Sequence, residues 1–155
     1  MQRAAWQSTY QGWIPDIIDR FDTDKTAANW ARAAADPGQH VTVATVDGVV
    51  VAYALTGIPE PDSVEPEDDP DRTGELHALY AHPDVHGQGL GRMLVTDALR
   101  MLARRRREHC VLWAIERNPR SRGFYEHLGF TLYPGASRVW RGLPEVRYRR
   151  RTLDC

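Results

Sequence analysis

The stretch that decides the fold is Leu79-Tyr80-Ala81-His82-Pro83-Asp84-Val85-His86-Gly87-Gln88-Gly89-Leu90-Gly91-Arg92. Its apolar beginning indicates a strand, its three glycines indicate a loop, and the residues after them predict a helix. In that helix, apolar residues recur at steps of three and four, as on one face of an amphipathic helix. They are Leu90, Met93, Leu94, Ala98, Met101 and Leu102. We expect this face to be buried.

The glycines of this stretch predict a binding site for an anion. Glycine lets the backbone approach a ligand closely and adopt positive φ. The amides in the first turn of a helix have no partner within the helix, and the helix dipole adds a partial positive charge there. Phosphate and pyrophosphate suit such a helix start. A dinucleotide fingerprint is excluded because Arg92 stands where its third glycine belongs, and no Walker sequence is present.

The segment His86-Gly87-Gln88-Gly89-Leu90-Gly91 resembles the Q/R-x-x-G-x-G/A signature of acyl-CoA binding in the GNAT family of N-acetyltransferases. His86 departs from the usual Gln or Arg. Two other family landmarks stand in the right order, namely the predicted strand Glu75–Ala81 before the loop and the segment Asn118–Phe130 after it. The resemblance covers roughly residues 6 to 153.

This resemblance implies an α/β fold in which one domain, residues 1–155, holds a mixed, mostly antiparallel sheet of about seven strands flanked by helices. In that fold two neighbouring parallel central strands splay apart. Here they would be Glu75–Ala81 and Val111–Ile115, and the gap would hold the pantetheine arm of acetyl-CoA. A chain of 155 residues is also of the length expected for one domain.

Local patterns predict further elements in the first third of the chain. The aromatic-rich opening indicates short helices, with Pro15 at the start of one. Asp24 is positioned to cap a helix from Lys25 to Ala35. A β-hairpin is predicted over residues 41–55, because two β-branched runs flank the turn dipeptide Asp47-Gly48.

The later segments are less regular. Residues 58–73 predict a mobile, acidic, proline-rich loop within the domain, because seven acidic residues and four prolines fall between positions 58 and 71. Arg104–Arg107 follows a helix, where cations favour the helix dipole. Two final strands, Thr131–Tyr133 and Val146–Leu153, are predicted on either side of a loop that contains glycine and proline.

The resemblance also implies which residues bind acetyl-CoA. The backbone of Leu79, Tyr80 and Ala81 would contact pantetheine. The pyrophosphate would be held by His86, Gly87, Gln88, Gly89, Leu90, Gly91 and Arg92. Arg92 would add a charge-assisted contact or, as the alternative, only face solvent. Asn118 would hold a pantetheine amide, cap its own helix, or do both.

Two catalytic roles are implied as well. Acetyl transfer from a thioester to an amine needs a neutral amine and a proton for the departing thiolate. Glu75 is the expected base, directly or through water, with His77 on the same strand face as the alternative. Tyr125 is the expected acid, because a phenol with a pKa near ~10 can protonate a thiolate. The structural alternatives are an exposed strand-end charge for Glu75 and a packing role for Tyr125.

The predicted function is therefore acetyl transfer from acetyl-CoA to a primary amine, of a small molecule or a peptide, by direct attack in a ternary complex. An alternative is a catalytically silent acyl-CoA-binding or regulatory module, which would not need Glu75 or Tyr125. A nucleic-acid binder would rest on Arg104–Arg107 and Arg147–Arg151. No nucleic acid is expected, because the net charge of −1 gives no global positive field.

Expectations about the other partners and the cellular location come from patterns that the sequence does not contain. It has no apolar run long enough for a membrane span and no signal-like leader, so we expect a cytoplasmic monomer or homodimer. Cys110 and Cys155 do not form a disulfide framework and fit a reducing compartment. No metal is expected, because Pro83 interrupts the histidines, whose spacing is not that of a metal site.

Overall fold

The computed structural model describes residues 1–14 and 16–153. Pro15, expected to begin a helix, and Cys155, expected to carry a reduced thiol, lie outside them. The helices and strands are α1 Gln2–Tyr10, α2 Thr23–Ala35, β1 Gln39–Val46, β2 Val49–Gly57, β3 Thr73–Ala81, α3 Leu90–Arg104, β4 His109–Ile115, α4 Pro119–His127, β5 Thr131–Trp140 and β6 Leu143–Arg151. Short 3-10 helices span Pro61–Ser63 and Pro83–Val85.

The strands form one mixed sheet in the order β1-β2-β3-β4-β6-β5. β3 and β4 are parallel, whereas β6 is antiparallel to both β4 and β5. The predicted α/β class and parallel central pair are confirmed, but the described residues form six strands instead of about seven. The residue patterns themselves predict six strands. The seventh came from the resemblance alone, and the described residues between 2 and 35 form helices and turns.

The residues group into two compact units. One comprises Met1–Leu55 with Ala78–Ala98, and the other comprises Thr56–His77 with Leu99–Cys155. The first unit contains α1, α2, the hairpin of β1 with most of β2, and the glycine loop. The second contains β4, α4, β5, β6 and the acidic segment 58–73. That the whole chain forms one domain stays a prediction.

The pairing of the central strands confirms the expected splay. β3 is in register with β4 over Thr73–Glu75, which face His109 to Val111. β4 in contrast pairs with β6 along its whole length, from His109 to Ile115. The parallel ladder therefore ends at Glu75 while β4 continues.

The buried face of α3 is rotated from the one predicted. Its most buried side chains are Leu94, Val95, Ala98, Leu99 and Leu102. This stripe follows the i, i+1, i+4 pattern of a wide apolar face. Met93 lies outside the stripe and is 67% exposed, so its expected burial is wrong. Apolar residues at steps of three and four are compatible with two overlapping helix faces, and the sequence alone does not show which of the two is buried.

Two other local predictions need correction. The N-cap of α2 is Asp22, whose side chain accepts a hydrogen bond from the Lys25 amide at 2.8 Å, and not Asp24. The predicted loop between the last two strands is mostly strand, because β5 continues through Pro134 and Gly135. A register irregularity between Leu132 and Ser137 accommodates these residues, as a β-bulge does.

Candidate active site

The glycine loop is held by hydrogen bonds between near neighbours in the sequence. His82 begins the short helix Pro83–Val85, and its Nδ1 accepts from the Asp84 amide at 3.2 Å. His86 Nε2 lies 3.3 Å from the Ala81 carbonyl oxygen, and Gln88 Nε2 donates to the Asp84 carbonyl at 3.3 Å. One longer-range bond, from the His82 amide to the Val51 carbonyl at 2.7 Å, ties the start of the loop to β2.

Its two exposed glycines adopt the backbone conformation that glycine permits. Gly87 has φ 78° and Gly89 has φ 80°, in the left-handed region. A Cβ atom built on either residue would meet no heavy atom within 4 Å. The space beside both residues is therefore open to a ligand.

The first turn of α3 supplies donors next to these glycines. The first intrahelical bond runs from the Met93 amide to the Gly89 carbonyl at 3.1 Å. The amides of Leu90, Gly91 and Arg92 precede this bond, so the helix itself offers them no acceptor. Arg92 is exposed. This arrangement can hold an anion through backbone amides and the helix dipole.

The strand end before the loop carries an aromatic contact that the sequence analysis did not predict. The hydroxyl of Tyr80 lies 3.2 Å from that of Tyr10 in α1. The ring of Tyr80 also packs on Tyr53, at 5.6 Å between centroids. Burial raises the pKa of the Tyr53 hydroxyl, with a smaller contribution from Tyr80. The aromatic-rich opening of the chain was the one sequence signal for this cluster.

Glu75 lies in the second unit and is almost fully buried, with 2% of its surface exposed. Its Oε2 accepts a hydrogen bond from the Glu60 amide at 2.8 Å. Its Oε1 lies 3.6 Å from Nδ1 of His77. The alternative of an exposed strand-end charge is therefore wrong.

The histidine beside this carboxylate has a defined orientation. His77 Nε2 lies 3.0 Å from the carbonyl oxygen of Ile58, which can only accept a hydrogen bond. Nε2 therefore carries a proton in this arrangement, and Nδ1 is the nitrogen that faces Glu75. The structure thus places side by side Glu75 and His77, which the sequence offered as alternatives.

A second buried carboxylate near Glu75 was missed by the sequence analysis. Glu145 on β6 is 7% exposed, and its Oε2 accepts from Nε of Arg138 at 2.5 Å. Burial raises the pKa of the Glu145 carboxyl, Arg138 opposes that rise, and the charge of Glu75 adds to it. No local pattern marks Glu145, because its burial arises from strand pairing.

Tyr125 and Asn118 lie on α4, in the same unit as Glu75. Tyr125 is 9% exposed and packs edge-on against Phe124 and Phe130, at centroid distances of 5.2 and 5.8 Å. Asn118 is the N-cap of α4, and its Oδ1 accepts from the Ser121 amide at 3.1 Å. The predicted cap is confirmed, which leaves the amide NH₂ of Asn118 for any ligand contact.

The acidic segment 58–73 is anchored by buried side chains. Asp68 forms an ion pair with Arg147, and the side chains of both are fully buried. Arg147 Nε also donates to the Ser63 carbonyl at 3.0 Å. The hydroxyl of Ser63 in turn accepts from the indole of Trp113 at 2.9 Å. The segment is irregular, as predicted, and its mobility stays a prediction.

No metal centre or membrane span is visible among residues 1–14 and 16–153. No group of three or more His, Cys, Asp or Glu side chains in this part of the chain has the geometry to hold a metal ion. No helix within it is long and apolar enough to cross a membrane.

Comparison with known proteins identifies the family. The Acetyltransferase (GNAT) family matches residues 5–130. The chain belongs to this family. A mycothiol acetyltransferase of Beutenbergia cavernae is 40% identical over 72 residues, which are 46% of this chain and 24% of that protein. The chain spans about a quarter to a half of the length of the first curated relatives it matches.

Solved GNAT structures share the fold. YncA of Salmonella typhimurium, a putative acetyltransferase with its cofactor acetyl-CoA, has a TM-score of 0.65 and 28% identity, covering 87% of this chain and 76% of that one. The PaiA N-acetyltransferase of Thermoplasma acidophilum, in complex with coenzyme A, has a TM-score of 0.69 and 17% identity, covering 94% and 86%. The predicted family and fold are confirmed.

Proposed function

We propose that this chain transfers an acetyl group from acetyl-CoA to a primary amine by direct attack in a ternary complex. The observation that carries the proposal is the glycine loop at the start of α3. Gly87 and Gly89 have positive φ and open space beside them, next to first-turn amides that have no acceptor in the helix. Family membership and the acetyl-CoA of the related YncA structure support the same ligand.

In this proposal, backbone groups hold the cosubstrate. The amides of Gly87 to Arg92 bind the pyrophosphate, assisted by the helix dipole and the Arg92 guanidinium. His86 and Gln88 position the loop, because their side chains bond to the Ala81 and Asp84 carbonyls. The backbone of Leu79–Ala81 and the Asn118 amide contact pantetheine.

Proton transfer falls to three side chains of the second unit. The buried Glu75 reaches the acceptor amine through His77 or a water molecule, because its Oε2 is already bonded to the Glu60 amide. The proton passes to Nδ1 of His77 or to the carboxylate, and the neutral amine attacks the thioester carbon. The C–S bond then breaks as Tyr125 donates its phenolic proton to the leaving thiolate, and the surplus proton of the new amide nitrogen passes through water to restore the Tyr125 phenol.

The acceptor is an amine of a small molecule or a peptide, and the protein acts as a monomer or homodimer in the cytoplasm without a nucleic-acid partner. A silent acyl-CoA-binding module is the alternative. It needs neither the Glu75–His77 pair nor Tyr125, whereas the buried position of Glu75 beside His77 favours the enzyme.

The test is release of free thiol from acetyl-CoA with a panel of amines and peptides. We expect amine-dependent CoA release, and a fall of about 10² to 10⁴ in turnover for Tyr125→Phe with nearly unchanged acetyl-CoA affinity. Phe124→Leu is the packing control. Acetyl-CoA binding without CoA release for any acceptor would favour the silent module, and full turnover in Tyr125→Phe would remove the acid role.

A further inference from the structure

A pocket lies in the second unit, where α3 ends and β6 ends. Its volume is about 620 Å³, within the range of small-molecule sites. The lining residues that the structure describes all belong to this one unit. The charged ones are Asp71, Arg72, Arg106, Arg107, Glu108 and Arg151.

Among these described residues, four guanidinium groups stand beside two carboxylates. Arg72 pairs with Glu108, which neutralises one of each. Arg107 Nη1 donates to the carbonyls of Pro70 and Thr73, at 2.6 and 2.9 Å. Carbonyl oxygens fix the direction of this guanidinium but leave its charge uncompensated. The described lining of the pocket has an excess of two positive charges.

The remaining two cations have no counterion in the described part of the chain. Neither Arg106 nor Arg151 lies within ion-pair distance of a described Asp or Glu carboxylate. Burial lowers the pKa of the neighbouring His109, the charges of Arg149 and Arg151 lower it further, and those of Glu108 and Asp68 oppose this.

The backbone at Arg106 gives an independent reason to assign this residue a role. Arg106 has φ 59°, in the left-handed region that favours glycine. The amide of Arg106 bonds to the Ala103 carbonyl and that of Arg107 to the Leu102 carbonyl, both at 2.9 Å. These bonds form a Schellman motif, whose left-handed position is usually glycine. An arginine there accepts backbone strain, and its guanidinium is not needed to cap the helix.

We propose that this pocket binds a small phosphorylated molecule through the guanidinium groups of Arg106, Arg107 and Arg151. Guanidinium forks match phosphate oxygens in bidentate geometry and remain charged at any physiological pH. None of the described lining residues belongs to the glycine loop. The concave shape and the overall charge of −1 favour a small phosphorylated molecule over a nucleic-acid strand.

The experiment follows the side-chain Nε–Hε signals of the pocket arginines by NMR while sodium pyrophosphate is added at low ionic strength. These signals report this pocket even if pyrophosphate also binds the glycine loop. We expect saturable shifts of the Arg106, Arg107 and Arg151 signals. The absence of saturable shifts up to high millimolar pyrophosphate would overturn the proposal.

Matched variants test the assignment. In Arg106→Ala/Arg151→Ala, the dissociation constant of pyrophosphate, measured from the Arg107 side-chain signal, should rise by about 10²-fold, because two charge-assisted contacts are lost. The control is Arg3→Ala/Arg100→Ala, which removes the same charge from two exposed positions without a described counterion. It should change the dissociation constant by less than about twofold, because these charges act only at long range. Equal weakening in both double variants would overturn the proposal.

Two further arms test the charge of the pocket and the source of the phosphate. Asp71→Asn removes a carboxylate from the pocket and should tighten pyrophosphate binding by about threefold. A single-stranded oligonucleotide of about twelve residues tests the nucleic-acid source. If it shifts the same signals at lower concentration than pyrophosphate, the small-molecule proposal is wrong.

Discussion

The glycine loop and the acidic segment 58–73 are both irregular, yet they are held in different ways. In the loop, the side-chain hydrogen bonds join residues five positions apart or fewer, such as His86 and Ala81, beside one backbone bond from the His82 amide to the Val51 carbonyl at 2.7 Å. In the acidic segment, Ser63 bonds to Trp113, 50 residues away, and Asp68 pairs with Arg147, 79 residues away. A local pattern can therefore reveal the first region, whereas only the folded chain reveals how the second is fixed.

Breaking the long-range anchor should give the largest effect. Arg147→Met leaves Asp68 buried without its nearest counterion, so we expect the free energy of unfolding to fall by about 3–5 kcal/mol in urea titrations. Arg149→Met is the matched control, because Arg149 is two residues away, approaches the same carboxylate at 3.3 Å and is partly exposed. We expect it to cost about 1 kcal/mol or less. Equal losses would mean that the buried pair does not hold the segment.

Altering the local region should instead affect ligand binding. Acetyl-CoA should stabilise the parent protein by about 2.7 kcal/mol at a hundred times its dissociation constant, as measured by thermal unfolding. Gly89→Val should lose this stabilisation, because its side chain would occupy the open space at the helix start.

The control for Gly89→Val is Gly142→Val. Gly142 also has φ 80° and open space around its Cβ position, but it lies in the turn between β5 and β6. Both variants should therefore suffer similar backbone strain. Loss of the acetyl-CoA shift in Gly142→Val, or its retention in folded Gly89→Val, would contradict the assignment of the loop.

Glu75 has two roles, because the carboxylate proposed as the base also accepts a hydrogen bond from the Glu60 amide of the acidic segment. Glu75→Gln keeps an acceptor for that amide and loses the base. We expect turnover near neutral pH to fall by about tenfold to a hundredfold, with acetyl-CoA affinity unchanged. Activity should partly recover as rising pH deprotonates the free amine, whose ordinary pKa is ~10.4.

The comparison variant is His77→Ala, measured over the same pH range. If Glu75 and His77 act as a pair, both variants should flatten the basic rise of the pH–rate profile. An unchanged profile in Glu75→Gln beside a flattened one in His77→Ala would assign the base to the histidine alone. Unchanged profiles in both would leave proton removal to water.

The smallest effect concerns the residue type at positions with positive φ. The loop has glycines at these positions, whereas the end of α3 has Arg106. Arg106→Gly should raise the free energy of unfolding by about 0.5–1 kcal/mol, because glycine removes the left-handed strain. Arg106→Ala is the control, since it loses the guanidinium but keeps the strain. Equal stability of these two variants would contradict this account of the motif.

Much of the candidate site was visible in the sequence because it depends on local geometry. The spacing of Gly87 and Gly89, the apolar strand before them and the helix after them predicted an anion site that the structure's open positions support. Asn118 was predicted as a helix cap for the same reason, and the Asp47-Gly48 hairpin follows from its turn residues. Errors appeared where two local solutions were nearly equal, as with Asp22 and Asp24.

The sequence by itself determined the α/β class, the family resemblance and the backbone chemistry of the glycine loop, because these depend on residue types at short fixed spacings. Tertiary structure alone decided that Glu75 is buried against the Glu60 amide, that Glu145 lies near it, and that Arg147 neutralises Asp68. It also grouped Arg106 and Arg151 in one pocket. The physical reason is that burial and charge pairing depend on strand register and chain path, which bring residues together over separations that no local pattern encodes.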